Sequence, residues 1–359
     1  MQKRGISPLI ATILILGFTI VLAALIMTWG MDIYKSIKEE QTIKAEAELI
    51  CSSKISPIIK LSCMNNLPYV KVKIENRGEA NISSFLIRSR SGDKINIKNS
   101  TSGISSFGIV ESFALYNIGD KQSEVEFIPR IVVKDQERSC SALKYSVDCS
   151  NVNLDNLLGF WKMDEDEGTF VRDYTDKNNG QNNGATWTAD GKISGAYVFD
   201  GVDDYIGIPS DIYLGDEVTV EAWVKPTAVS GQYVVYGANQ NDGSRNFILW
   251  IQDSNTIFRT TPYAGPNWQL STSGLNMQPN TWYYIAATRN NIEGRAVYVD
   301  GVLKAADTSS NWAGPTLLSN VIGARAPGTS LFFNGIIDEV RIYNKALSPE
   351  EIREHASIR

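Results

Sequence analysis

One histidine and four cysteines are all the imidazole and thiol chemistry that this 359-residue chain offers. His355 stands near the C-terminus with no evident partner in the sequence, which removes most histidine-based metal and nucleophile chemistry and predicts a surface position. Cys51, Cys63, Cys140 and Cys149 fall in one hundred-residue stretch without a C-x-x-C pair. That spacing argues against a zinc or thioredoxin-like site and for two disulfides in an oxidising, extracytoplasmic segment. Two pairing schemes are open. In one, the bonds are local, Cys51 with Cys63 and Cys140 with Cys149. In the other, they tie the two ends of the segment together. The remaining candidates are carboxylates. Asp164-Glu165-Asp166-Glu167 pairs acids two apart but runs into Gly168, as a solvated turn does. The chain has no Gly-rich phosphate loop of strand-to-helix form and no nucleophile elbow.

Charge divides unevenly. From Asp155 to the end there are 25 acidic and 15 basic side chains, net −10, whereas the preceding residues carry 15 acidic and 19 basic, net +4. An acidic distal half is unsuited to nucleic acid, which demands a basic surface, and is suited to binding cations. Aromatic side chains supply the other common binding chemistry, a flat face against a sugar ring with polar groups around it. Trp161, Trp223 and Trp282 lie in predicted strands and are read as core. Tyr263, Trp268 and Trp312 lie in predicted loops and are the candidates for a ligand platform.

The elements that must carry these groups are of two kinds. From Gly5 to Met31 no side chain is charged. The apolar run Pro8–Trp29 meets the roughly 20 residues a bilayer-spanning helix needs. It is longer than the apolar part of a secretory signal, and it lacks an Ala-x-Ala end. Lys3 and Arg4 ahead of it predict a cytoplasmic N-terminus with everything after Asp32 outside. The continuation MDIYKSIKEEQTIKAEAELI has no proline, and no glycine after Gly30, so one helix of forty-odd residues is expected. Beyond it the pattern has period two. Val70, Val72 and Ile74 alternate with Lys71, Lys73 and Glu75, and FLIRSRSGDKINI and VEFIPRIVVKD add further strands. The sequons at Asn81 and Asn99 lie in this segment and are candidate glycosylation sites.

The distal half reads as short strands separated by glycine-rich turns, hence a sandwich. EVTVEAWV puts Val218, Val220, Ala222 and Val224 on one face, and Asp300-Gly301 marks a two-residue hairpin turn. Ser348-Pro349-Glu350-Glu351 predicts a short capped helix after the last strand.

Two stretches carry resemblances. KRGISPLIATILILGFTIVLAALI resembles the class III signal peptide and polymerisation helix of archaeal type IV pilins and archaellin-like subunits. The resemblance implies cleavage between Gly5 and Ile6 and packing of the helix against sibling helices. Bacterial pilins usually place a glutamate where this chain has Ile10, so the archaeal form is the better match. FDGVDDYI and IDEVRIYNKALS resemble the laminin-G-like, concanavalin A-like lectin/glucanase group over roughly residues 155–359. That resemblance implies a jelly roll with a calcium ion (Ca2+) at its edge, for which Asp200 and Asp338, then Asp203, are the candidate ligands. Glucanases of this group set acids as E-x-D-x-E along one strand, which places two carboxylates on one face. This chain has no such segment, so it is read as a non-enzyme.

The expected fold is therefore mainly β: a long N-terminal α-helix of transmembrane or pilin type, a small β-sandwich of Ig-like or archaellin-like type, and a C-terminal concanavalin A-like jelly-roll β-sandwich. The expected domains are a leader 1–5, a hydrophobic helix 6–50, a disulfide-containing β domain 51–150 and a lectin-like domain 151–359. The function expected is that of a pilin-like surface subunit, minor or tip, displaying a lectin-like domain for adhesion. Its partners would be the membrane, other pilin-like subunits and a carbohydrate or surface protein. The alternatives are an unpolymerised single-pass surface lectin or receptor, and a surface glycoside hydrolase.

Overall fold

The computed structural model describes residues 8–64, 69–91, 94–99, 103–115, 122–149, 154–209, 212, 214–239, 246–260, 269–308 and 319–358. The chain is mainly β behind one long helix and divides into two compact units. The first holds Met1–Leu61, Lys73–Glu111 and Gln122–Val147. The second holds Ser62–Val72, Ser112–Lys121 and Asp148–Arg359.

Helix α1 spans Pro8–Leu49 and closes on a π-helical turn, Ile50–Lys54. Pro8 stands at its first position, where a missing N–H costs nothing. Its apolar side chains from Ile13 to Met31 face outward on every side. The hydroxyls of Thr19 and Thr28 donate back to carbonyls three and four residues earlier, which satisfies these polar groups without water. The stretch Thr12–Lys54 is long and apolar enough to cross a membrane. Further along, Ile43 and Ala47 are buried, and Glu40 takes an ion pair from Arg138 at 2.8 Å.

The period-two pattern becomes strand as expected. Val70–Asn76 buries Val70, Val72 and Ile74 and turns the charged positions away. It lies between Pro57–Cys63 and Ile109–Leu115 in a three-stranded sheet. A five-stranded sheet runs in the order Lys94–Asn99, Ser84–Ser91, Gln122–Val133, Gln136–Ser139, with Leu143–Asp148 paired to Gln122–Val133. The disulfides follow the end-to-end scheme, Cys51 with Cys140 and Cys63 with Cys149.

The second unit is built on two large antiparallel sheets. One has Asn334–Tyr343 at its centre, between Ala196–Asp200 and Val218–Pro226, and continues through Tyr283–Asn290 and Gly294–Val299 to Val302–Asp307. The opposing sheet is centred on Gln232–Asn239, Asn246–Gln252 and Asn255–Thr260. Between them lies the main core. Val218, Val220, Ala222 and Val224 all point into it, together with Ile285, Ile337, Ile342, Phe247, Leu249 and Phe258. The Asp300-Gly301 turn has both residues at positive φ, 50° and 74°, as a two-residue hairpin requires. Helix α2, Pro349–Ala356, carries the expected capping box. Ser348 accepts from the Glu351 N–H, and the Glu351 carboxylate accepts from the Ser348 N–H.

Period two dictates that the alternate residues of the central strands face the other way, and here that outer face is also buried. Thr219, Glu221, Trp223, Tyr284, Arg341 and Tyr343 lie beneath α2, Met64 and Tyr69, with Leu157, Phe160, Leu347 and Ile352 around them. A carboxylate sealed in this way is costly unless every lone pair is used. Glu221 Oε1 accepts from Arg341 Nη1 at 3.0 Å and from the Tyr343 hydroxyl at 3.3 Å, and Oε2 accepts from the Tyr284 hydroxyl. His355 Nδ1 lies 3.0 Å from Oε2 and 3.1 Å from Oε1. Burial pushes Glu221 up, but His355, Arg341 and Tyr284 together hold it down at about 2, so it is ionised and the imidazole donates. His355 is thus fully buried rather than on the surface, because α2 folds back over the sheet and turns its inward face onto Glu221. Arg341 continues the chain to Glu339, which accepts from the Tyr69 hydroxyl at 2.7 Å. Replacing Glu221 with alanine leaves the buried His355 imidazole and Arg341 Nη1 without their carboxylate acceptor. Urea unfolding followed by tyrosine and tryptophan fluorescence is expected to show a loss of about 3–5 kcal/mol, whereas a shift under about 1 kcal/mol would mean the chain is dispensable.

Candidate functional site at the acidic edge

Strand Ala196–Asp200 ends in Asp200, and Gly201-Val202-Asp203 turns the chain into Tyr205–Ile208. Gly201 takes φ +81°, which favours glycine over any residue with a Cβ. The turn is held by its own carboxylates. Asp200 Oδ1 accepts from the N–H of Val202 at 2.7 Å and of Asp203 at 3.4 Å, and Asp204 Oδ2 accepts from the Asp200 N–H at 2.8 Å. This folding brings one carboxylate oxygen each of Asp200, Asp203 and Asp204 within 4.8 Å of one another. Asp204 is buried while Asp200 and Asp203 are exposed. Gly184 makes room for it: a Cβ there, at φ +97°, would stand 2.1 Å from Asp204 Oδ1.

Three like charges in so small a space repel. Burial pushes the Asp204 carboxyl above its ordinary range, the Asp200 N–H opposes that, and the charges of Asp200 and Asp203 add to the rise. A bound cation would reverse the sign of that electrostatic problem. The donor set is all oxygen, as hard divalent cations prefer, and exposure on one side leaves room for water and carbonyl ligands. The group therefore fits a metal ion.

Asp338, expected as a ligand, lies elsewhere. Its strand neighbour Asn334, four residues earlier, is the residue that pairs with Asp200. Asp338 itself is fully buried on the outer face, where its Oδ2 accepts from the Ile193 N–H at 2.9 Å. The register between Val218–Pro226 and Asn334–Tyr343 shifts between Glu221 and Trp223, and Glu339 takes φ 55° at this bulge. Burial and the neighbouring Glu339 raise Asp338 well above its ordinary range. Asp204 thus joins the group that Asp338 was expected to complete. Its signal in the sequence is the Asp203-Asp204 doublet, in which the second acid is four residues from Asp200, the distance that a tight turn closes.

The acidic run 164–167 splits. Asp166 and Glu167 are exposed, as a solvated turn predicts, but Asp164 and Glu165 are partly buried. Asp164 Oδ1 accepts from the Gly195 N–H at 2.9 Å, and Glu165 Oε1 from the Arg172 N–H at 3.2 Å. Burial first, and then the charge of Glu339, push Asp164 up to about 7. Asn81 and Asn99 are both exposed, and Asn81 Oδ1 accepts from the Ser106 N–H. Trp161 and Trp223 are buried, in keeping with a core role. Tyr263, Trp268, Trp312 and the Gly5–Ile6 bond lie outside the described residues.

Residues 200–353, beginning at the acidic turn, match the family model described as the concanavalin A-like lectin/glucanases superfamily, laminin G type. This part of the chain is a concanavalin A-like lectin/glucanase domain. Among solved structures, domain 4 of AbnA, an extracellular arabinanase from Geobacillus stearothermophilus, in complex with arabinotriose, is similar at 21% identity and a TM-score of 0.45, over 56% of this chain and 98% of that one. The binding domain of Paraclostridial Mosquitocidal Protein 1 is similar at 17% identity and a TM-score of 0.46, over 56% of this chain and 52% of that one. The binding domain of Botulinum neurotoxin serotype D is similar at 14% identity and a TM-score of 0.44, over 56% and 50%. This chain thus spans about half the length of the two toxin chains. No curated protein matches it.

The raised carboxyl of Asp164 carries a sign for pH. An acid with a higher pKa folded than unfolded weakens the fold as it ionises, so its contribution is lost from about pH 4 upward until about pH 7. Asp338 and Glu339, also raised by burial, act in the same direction. Thermal denaturation is expected to give a higher midpoint at pH 5 than at pH 8, and Asp164→Asn is expected to narrow that difference. A midpoint that climbs from pH 5 to pH 8 in the parent protein would contradict the assignment.

Proposed function

We propose that the chain is a pilin-like surface subunit, of minor or tip type, whose apolar stem carries a concanavalin A-like domain that binds a glycan or a surface protein. The observation that carries the reading is α1, apolar on every side and exposed throughout from Ile13 to Met31, in a chain that also has two disulfides and a lectin-type sandwich. A helix of this kind needs lipid or a sheath of similar helices. Disulfides persist in oxidising surroundings, which supports a secreted or surface location. The domain scheme 1–5, 6–50, 51–150 and 151–359 belongs to this proposal, with cleavage after Gly5 and Ile6 as the mature first residue. So do Asn81 and Asn99, both exposed, as glycan acceptors.

At the acidic edge the proposed cation is calcium, held by Asp200, Asp203 and Asp204, with Asp338 set aside because its carboxylate serves the outer-face core. When bound, the ion would neutralise the turn and fix its backbone. The chain's own residues would shape the site: Asp200 folds the turn, Asp204 pins the end of the preceding strand, and Asp203 remains open to solvent. Tyr263, Trp268 and Trp312 are retained as proposed ligand contacts.

Binding is preferred to hydrolysis. Three of the acids with raised pKa make structural hydrogen bonds: Asp164 to Gly195, Asp338 to Ile193, and Glu339 to Tyr69 and Arg341. A single-pass anchor would use the same stem, and the mature N-terminus separates the two, since Ile6 supports pilin-type processing and an intact Met1 contradicts it. A glycan array probed with and without a chelator tests the head. Binding is expected to fall when calcium is removed, and Asp204→Asn is expected to weaken calcium binding by about tenfold, as loss of one charged ligand would. Binding untouched by both changes would remove calcium from the account.

A further inference from the structure

The second unit includes a segment that is remote from it in sequence. Residues 62–64 and 69–72 belong to it, and Tyr69 is fully buried there. Its ring meets Phe160 edge-on at 6.0 Å between centroids, and Lys162 Nζ lies 5.3 Å from the ring centroid. Its hydroxyl donates to Glu339 at 2.7 Å. Met64, also buried, belongs to the same cluster, and its N–H donates to the Tyr69 carbonyl at 3.0 Å. One covalent bond governs the seating of this segment. Cys63, six residues before Tyr69, is bonded to Cys149, eight residues before Leu157, which starts the strand paired with Asn334–Tyr343.

We propose that the Tyr69 segment is a redox-set strap, whose seating on the outer face of the sandwich is favoured by the Cys63–Cys149 bond. The inference goes beyond the binding reading and does not depend on it. Without the bond, the shortest covalent path from Tyr69 to Leu157 runs 18 residues back to Cys51, across the Cys51–Cys140 bridge and 17 residues on from Cys140. Closing this longer loop costs more entropy than closing the short path through Cys63–Cys149. On the three-halves-power scaling, that difference amounts to a seating equilibrium roughly fourfold poorer. The phenol matters because Glu339 is buried, and it loses one of its hydrogen-bond donors whenever Tyr69 is away. The chemistry is thiol–disulfide exchange. The Cys63 and Cys149 thiols give up two protons and two electrons to an external low-molecular-weight or protein disulfide, which leaves as two thiols, and one S–S bond forms as one breaks. A chain still in a reducing compartment therefore seats this segment less often than one that has reached an oxidising compartment.

The test uses the full chain and the rate at which tetranitromethane nitrates individual tyrosines, read by mass spectrometry. The parent oxidised protein is compared with Cys63→Ser/Cys149→Ser. Tyr236, buried in the inner core, reports on the sandwich as a whole. Nitration of Tyr69 is expected to accelerate about fourfold in the double variant while Tyr236 stays protected. As a second measurement on the unmutated chain, brief reduction should expose Tyr69 and reoxidation should protect it again. Equal rates with and without the bond would overturn the proposal. So would joint exposure of Tyr69 and Tyr236, since the bond would then hold the whole sandwich rather than a strap.

Discussion

A single buried carboxylate sets the terms for the distal half of this protein. Glu221 lies on the outer face of a central strand with no solvent contact, and it remains ionised because Arg341, His355 and two tyrosine hydroxyls converge on it. Those partners come from β-strands and from α2, while Arg341 passes the chain on through Glu339 to Tyr69. Desolvation makes this arrangement all-or-none. With its carboxylates paired, it fixes where each element sits, whereas missing one member it leaves buried polar groups unpaired. The inner core between the sheets is aliphatic and aromatic and would tolerate conservative repacking, so the demand for a unique arrangement falls on the polar outer face.

That demand also explains the separation between structural and binding acids. The distal half is strongly acidic, and its carboxylates could all have been read as cation ligands. Burial sorts them. Asp338, Glu339 and Asp164 are drawn inward and hold backbone N–H groups or side-chain donors, whereas Asp200 and Asp203 stay at the sandwich edge, with Asp204 tucked beneath them. Adjacent acids in one strand, Asp338 and Glu339, both turn to the outer face, between the inward Ile337 and Val340, because the bulge at Glu339 breaks the alternation.

Much of this was legible in the residues themselves. The apolar run before Asp32, the alternation at Val70–Ile74, the inward set Val218–Val224, the Asp300-Gly301 turn and the capping box at Ser348 all depend on local periodicity or turn chemistry, and each appears where the sequence puts it. The departures depend on contacts between distant residues. His355 has no neighbour in sequence that announces Glu221, 134 residues away. Tyr69 is separated from Glu339 by 270 residues. The choice of Asp204 over Asp338 required knowing that Asn334, and not Asp338, stands beside Asp200. The disulfide pairing was left open for the same reason, since loop closure favours no particular partner strongly.

The stem and the sandwich make opposite demands on solvent. One exposes apolar side chains over its whole circumference, and the other hides even its charged groups. A chain of this kind makes physical sense where lipid or sibling helices meet the stem and water meets the sandwich. Protease digestion of intact cells, or of sealed right-side-out vesicles, is the most direct measurement of that arrangement. The account predicts that external protease removes peptides from residues 200–353 while the apolar stem stays with the membrane or filament fraction. Full protection of those residues until the membrane is broken would contradict it.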